Sequence, residues 1–276
     1  MLWERYDLLI LDLDGVVYLG DQPVIHAIES LNAARDQVAL AAATNNAARE
    51  AEVVAAHLRR LGLPIGDADV VTSAQAGAAI LAADLPSGSE VLAVGGSGVS
   101  SALTAAGLSP VRADRELERS AELASRVAAV MQGHGTDNGW WDYAAACFAI
   151  NAGALWLATN RDTTVPLPMG SGPGNGAFVQ ALITATGREP RVAGKPQPGL
   201  FLETARRLGA QHPLVIGDRL DTDIDGAIAA GMDSLLVLTG VHTAEDARRR
   251  PEDQWPTHIA SDLRCLLRPE PPRGLE

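Results

Sequence analysis

Short apolar runs recur along the chain at residues 8–11, 38–42, 91–94, 127–131, 155–158, 214–216 and 234–238, separated by Ala-rich stretches with helical periodicity. Runs this short and this continuously apolar predict strands buried on both faces, as in a parallel sheet. The stretch 47–61 shows the complementary helical pattern. Ala51, Val54, Leu58 and Leu61 share one face, Asn46 is placed to cap the start, Glu50 and Glu52 precede Arg59 and Arg60, and Gly62 stops it. Strand–helix alternation of this kind predicts an α/β fold built on a largely parallel sheet.

Three stretches depart from that rhythm. Residues 166–176 (PLPMGSGPGNG) are dense in Gly and Pro and mark a candidate domain border. The tail 269–276 (PEPPRGLE) is Pro-rich and expected to fray. Residues 143–160 carry no charge, but Asn151 and Gly153 interrupt them, which predicts a buried helix followed by a strand rather than a membrane span.

Charge narrows the partners. The 276 residues include 22 basic and 34 acidic side chains, a formal net charge of −12. That balance argues against nucleic acid or an anionic membrane surface, both of which need clustered Lys and Arg. An anionic ligand would need positive charge supplied locally. The two cysteines, Cys147 and Cys265, form no C-x-x-C pair, so neither a disulfide framework nor a thiolate zinc site is expected. The first ten residues lack the apolar core of a signal peptide, and a cytoplasmic location is the expectation.

The candidate chemistry lies where apolar strands stop, the place where open parallel sheets bind ligands. Residues 8–11 run directly into Asp12-Leu13-Asp14-Gly15. Residues two apart project to one side, so Asp12 and Asp14 can address one site, although such a pair equally fits a capped turn. The run 38–42 leads to Thr44, Asn45 and Asn46, whose donors ahead of a helix suit an anion or simple capping. Lys195 stands between Gly194 and Pro196, just before a helix; a lone Lys is ordinarily a solvated charge. Residues 214–216 precede Gly217-Asp218-Arg219-Leu220-Asp221-Thr222-Asp223, whose acids suit a hard cation such as Mg²⁺ or a solvated loop. Taken together the four segments make a phosphate-plus-magnesium site. A phosphate dianion beside a carboxylate at about 3 Å and an effective dielectric near 20 is repelled by about 10 kcal/mol, so both Lys195 and a metal are needed there. The glycines at 95, 96 and 98 also follow a strand, but the third glycine and the downstream acid of a dinucleotide site are missing.

The order D-x-D-G, T-N-N, G-K-P, G-D-x-x-x-T-D resembles the four motifs of the haloacid dehalogenase (HAD) superfamily of phosphohydrolases. The strings LDLDGVVYLGDQPV, AATNNAARE, VAGKPQP and VIGDRLDTDIDGAIAAGM resemble its branch with a large C2-type cap, which includes NagD-like proteins and p-nitrophenyl phosphatases. Within that branch, VVTSAQ, RVAGKP and GDRLDTDI are similar to actinobacterial glycerol-3-phosphate phosphatases. The resemblance spans nearly the whole chain. It implies a HAD-like Rossmannoid parallel-sheet core of residues 1–79 and 190–276, with a smaller α/β cap inserted at 80–189 that closes over the substrate.

The resemblance also implies roles: Asp12 as the nucleophile that forms an aspartyl-phosphate and Asp14 as general acid–base. Thr44, Asn45 and Asn46 would orient phosphate, and Lys195 would neutralise it. Mg²⁺ would be held by Asp12, Asp218 and the Asp14 carbonyl, with Asp223 holding the metal's waters. Cap residues Gln132, Asn160 and Asp162 are candidates for reading the organic part of a small phosphate ester, sn-glycerol 3-phosphate foremost. Phosphoglycolate, sugar phosphates, nucleoside monophosphates and pyridoxal phosphate stand as alternatives. Pyridoxal phosphate is disfavoured because no histidine follows Asn160-Arg161-Asp162, where its phosphatases carry one. Capped relatives pair through the cap, so a homodimer is a further expectation. Two rival classes are a phosphotransferase or mutase of the same superfamily and a receiver-like phospho-acceptor module. The second has no use for Asp14 or for an inserted domain.

Overall fold

A computed structural model describes residues 1–167 and 169–269. The chain forms two compact units. The first is built from Met1–Thr44, Ala51–Val71 and the chain from Lys195 onward, and the second from Asn45–Glu50 and Thr72–Gly194. The expected insert 80–189 lies inside the second unit, which begins earlier and takes in the short piece 45–50 as well.

The first unit carries a six-stranded sheet in the order His258–Ala260, Asp233–Val237, Pro213–Gly217, Leu8–Leu11, Ala39–Thr44, Val70–Thr72. Leu8–Leu11 pairs in parallel with both neighbours, Pro213–Gly217 and Ala39–Thr44. All four of its residues are buried, as a strand covered on both faces requires. Leu9, Leu11, Leu214, Ile216, Leu235 and Val237 share one core with Leu31, Val54 and Leu58 from the flanking helices Ala27–Ala34 and Ala51–Arg60.

The second unit has its own five-stranded sheet, ordered Arg191–Val192, Leu155–Ala158, Ala129–Gln132, Glu90–Val94, Ser109–Val111, with every pairing parallel. Its core gathers Leu92, Val94, Val130 and Trp156 with Ala145, Ala149 and Ile150 of the helix Trp140–Ala152 and Val179 and Leu182 of the helix Asn175–Thr186. The uncharged stretch 143–160 is thus a helix, a left-handed Gly153 at φ 105° and a strand. Among the described residues no helix is long and apolar enough to cross a membrane.

Three expectations change. The helix expected at 47–61 is Ala51–Arg60, and Asn46 does not cap it. Residues 47–49 instead run against Gly96 and Gly98, where a Cβ on Gly98 would stand 2.5 Å from the Arg49 carbonyl oxygen. The glycines at 96 and 98 therefore serve a close backbone approach inside the second unit. The Gly/Pro-rich stretch is not a border but an antiparallel hairpin within that unit, Thr164–Leu167 with Gly170–Pro173. Residues 270–276 of the tail expected to fray lie outside the described residues, as does Pro168 of the Gly/Pro-rich stretch.

Candidate active site

Leu8–Leu11 and Pro213–Gly217 lie side by side with Leu11 opposite Ile216, so both segments leave the sheet at the same edge and level. Asp12 follows the first, and its N–H donates to the Ile216 carbonyl at 2.9 Å, carrying the ladder one step beyond the strand. Asp218 follows the second. Leu13 enters the core at 1% exposure, which leaves Asp12 and Asp14 on the other side of the alternation. Asp14 is exposed and bridges to Tyr18. Gly15 closes the turn at φ 83°, and a Cβ there would stand 2.6 Å from Asp218 Oδ2. Both the backbone conformation and the close approach strain any side chain placed there.

Lys195 ties the carboxylates together. Its Nζ donates to Asp12 Oδ1 at 2.5 Å and to Asp223 Oδ1 at 2.7 Å. Burial alone would lower the ammonium's pKa, but the Asp12 and Asp223 charges outweigh it and hold Lys195 well above the usual lysine range. Asp223 is fully buried, and its second oxygen accepts the Arg219 N–H at 3.1 Å. Burial pushes its carboxyl up, with Lys195 opposing and Asp12 adding to the rise. Asp218 is raised in the same way, by burial first and then by Asp12. The Val241 N–H holds Asp218 Oδ2 at 2.8 Å, whereas Oδ1 is buried with no hydrogen-bond partner among the described residues.

Carboxylate oxygens of Asp12, Asp218 and Asp223 lie within 4.8 Å of one another. One ammonium among three carboxylates leaves this cluster short of positive charge. The donors are hard oxygens and one of them is a buried orphan. That donor set fits a divalent cation such as Mg²⁺. Asp12 and Asp218 could hold it, since both oxygens of Asp223 already accept hydrogen bonds.

The T-N-N segment is divided between the units. Thr44 ends the strand Ala39–Thr44 at 5% exposure, on the same sheet edge as Asp12. Asn45 belongs to the second unit, where its carbonyl accepts from Ser73 Oγ and Asn160 Nδ2, each at 2.7 Å, and its Nδ2 donates to Asp162 Oδ1 at 3.2 Å. Asn46 Oδ1 accepts the Ala48 N–H at 3.0 Å and so closes a local turn. Of the three residues expected to read substrate, Gln132 is fully buried and accepts from Trp156 Nε1 at 3.2 Å. Asn160 is buried and accepts the Asp162 N–H at 3.1 Å. Both work within the unit's own interior, while Asp162 is half-buried.

Residues 239–242 went unnoticed in the sequence pattern. Thr239 Oγ1 donates to the Gly15 carbonyl at 2.6 Å, and the His242 N–H donates to the Asp218 carbonyl at 3.2 Å. The available signal was a Thr-Gly pair directly after the apolar run next to the Asp218 strand.

Family models and known proteins match most of the chain. A haloacid dehalogenase-like hydrolase model matches residues 9–109, and a HAD-hydrolase-like model matches 192–266. The chain belongs to the haloacid dehalogenase-like hydrolase family. It is 48% identical over 263 residues to the D-glycerol 3-phosphate phosphatase of Mycobacterium tuberculosis, covering 95% of this chain and 71% of that one. It is 32% identical over 268 residues to an acid sugar phosphatase of Staphylococcus saprophyticus, covering 96% and 98% of the two chains. The crystal structure of the M. tuberculosis glycerol phosphate phosphatase in complex with magnesium superposes with a TM-score of 0.87 at 48% identity, covering 96% of this chain and 77% of that one. A p-nitrophenyl phosphatase from Archaeoglobus fulgidus gives a TM-score of 0.82 at 27% identity, covering 94% and 97%. The parallel-sheet core with an inserted α/β unit is the family's fold.

Proposed function

We propose that this chain is a Mg²⁺-dependent phosphomonoester hydrolase that works through an aspartyl-phosphate on Asp12. The observation that carries the reading is the convergence of Asp12, Lys195, Asp218 and Asp223 within hydrogen-bonding or ligand distance of one another. Asp12 attacks phosphorus with a carboxylate oxygen, the phosphorus–oxygen bond to the organic group breaks, and Asp14 gives its proton to the departing alkoxide. Asp14 then takes a proton from water, the hydroxide attacks the aspartyl-phosphate, and inorganic phosphate leaves with Asp12 regenerated. Lys195 holds Asp12 in its attacking position and offsets the charge brought in by phosphate. Asp12, Asp218 and the Asp14 carbonyl would hold Mg²⁺, whose charge when bound lowers the repulsion between phosphate and carboxylate. Thr44, at the same sheet edge, would orient the phosphate.

The substrate class is a small phosphate ester, and glycerol 3-phosphate is the favoured member on the strength of the 48% identity to the mycobacterial phosphatase. A second reading, a sugar phosphate, draws on the acid sugar phosphatases, which match along nearly their whole length. The second unit is assigned the family's cap role, with Asp162 a candidate for substrate choice. A cytoplasmic location and pairing of two copies through the second unit are part of the same proposal.

Phosphate release measured across both enantiomers of glycerol 3-phosphate, phosphoglycolate, sugar phosphates and nucleoside monophosphates tests it. The highest kcat/KM is expected for one glycerol 3-phosphate enantiomer. Preference for a sugar phosphate would move the substrate, and no release from any monoester in Mg²⁺ would remove the phosphatase reading itself.

A further inference from the structure

The loop after the strand Asp233–Val237 makes four contacts with the acidic site, two of them through side chains with no expected role, those of Thr239 and His242. Thr239 Oγ1 reaches the Gly15 carbonyl, the Val241 N–H holds Asp218 Oδ2, and the His242 N–H holds the Asp218 carbonyl. The fourth contact runs the other way, as the Leu220 N–H donates to Nδ1 of His242 at 3.2 Å. Leu220 opens the single π-helical turn Leu220–Ile224, whose starting N–H groups have no partner within the turn. That turn carries Asp223, and Leu220 is itself buried at 3% exposure. An unpaired N–H there would be costly.

His242 therefore grips the segment 218–223 at two points, with its backbone on Asp218 and its ring on Leu220. Asp218 offers the orphaned oxygen and Asp223 the anchor of Lys195, so the spacing of these two carboxylates depends on how that segment is held. We propose that His242 is a positioning residue for the cation site: its Nδ1, as acceptor, fixes the turn that sets Asp218 against Asp12 and Asp223. The inference rests on the phosphatase reading and adds to it a residue outside the four motifs. Groups that hold metal ligands in place are generally worth about 10- to 100-fold in metal affinity.

The experiment compares wild type, His242→Ala and His242→Asn by Mg²⁺ titration, read both as the Mg²⁺-dependent rise in melting temperature and as half-saturation of phosphate release. Asn keeps an acceptor oxygen near the place of Nδ1, and Ala removes it. His242→Ala is expected to raise the Mg²⁺ half-saturation about tenfold, with the ester KM at saturating Mg²⁺ changed less than about twofold, and His242→Asn to return to within about threefold of wild type. Wild-type Mg²⁺ affinity in His242→Ala would overturn the proposal, as would an equal loss in both variants, since the acceptor would then be irrelevant. If His242→Ala does not fold, His242→Asn against His242→Leu reads the same contrast. Absence of any Mg²⁺ response in the wild type would overturn the phosphatase reading instead, so the two failures are told apart by the control.

Discussion

Lys195 donates to Asp223 at 2.7 Å in an interior where the two side chains are 3% and 0% exposed. A pair so completely removed from water is held by mutual neutralisation. Removing one member leaves the other charged and uncompensated. Lys195→Met is expected to destabilise the metal-free protein by about 3 kcal/mol in denaturant unfolding. It should also cut phosphate release by a factor on the order of 1000. Lys195→Arg should not restore activity, because a planar guanidinium cannot reach Asp12 and Asp223 from one point as an ammonium does.

Asp12→Asn keeps the shape of the side chain and removes its nucleophilic charge. Phosphate release should fall to background while the melting temperature of the metal-free protein stays level or rises, since Asp12 adds to the repulsion on both Asp218 and Asp223. Measured turnover in this variant would take the nucleophile assignment away from Asp12.

Calcium should occupy the cluster without supporting turnover. It accepts more ligands at longer and less regular distances than Mg²⁺, and in-line attack by Asp12 tolerates little displacement. Added Ca²⁺ is expected to inhibit competitively with Mg²⁺ in a phosphate-release assay. Equal rates in the two metals would contradict the demand for tight geometry.

Away from the site, Asp262 caps the short helix Leu263–Leu267, accepting from the Arg264 N–H at 2.9 Å and from its guanidinium at 2.7 Å. The Arg264 hydrogen bonds hold its carboxyl below the usual range despite burial. A carboxyl depressed in the folded state contributes stability above its unfolded pKa, near 3.9, and loses it as pH falls through the lower folded value. Asp262→Ala should cost about 1 kcal/mol at pH 7 in urea unfolding. That difference should shrink steadily below about pH 4.

Legibility in the sequence followed burial. Leu8–Leu11 and Leu155–Ala158 match their predicted bounds because their apolar runs stop where the sheet stops, at Asp12 and near Asn160. Val70–Thr72, Arg191–Val192 and His258–Ala260 were not foreseen, being edge strands of two or three residues with no room for a pattern. The helix start after Asn46 misled for a different reason. Caps and charges fitted position 47, but the backbone of 47–49 is taken by its approach to Gly98, a contact between segments distant in sequence. In the site, the acids were readable from their place at strand ends, and Lys195 only in combination with the other three segments. The Asp218-holding amide of Val241 was not, because a backbone donor leaves no mark in the residue type.

The most direct test is chemical capture of phosphate on the chain. Asp14→Asn, mixed with p-nitrophenyl phosphate and quenched in acid, should accumulate covalent phosphate, since a good leaving group needs no proton but the second step still lacks its base. Mass spectrometry of the digest is expected to place one PO₃H unit on the peptide containing Asp12. Nitrophenol released in stoichiometric amount or more with no phosphorylated peptide would contradict the account.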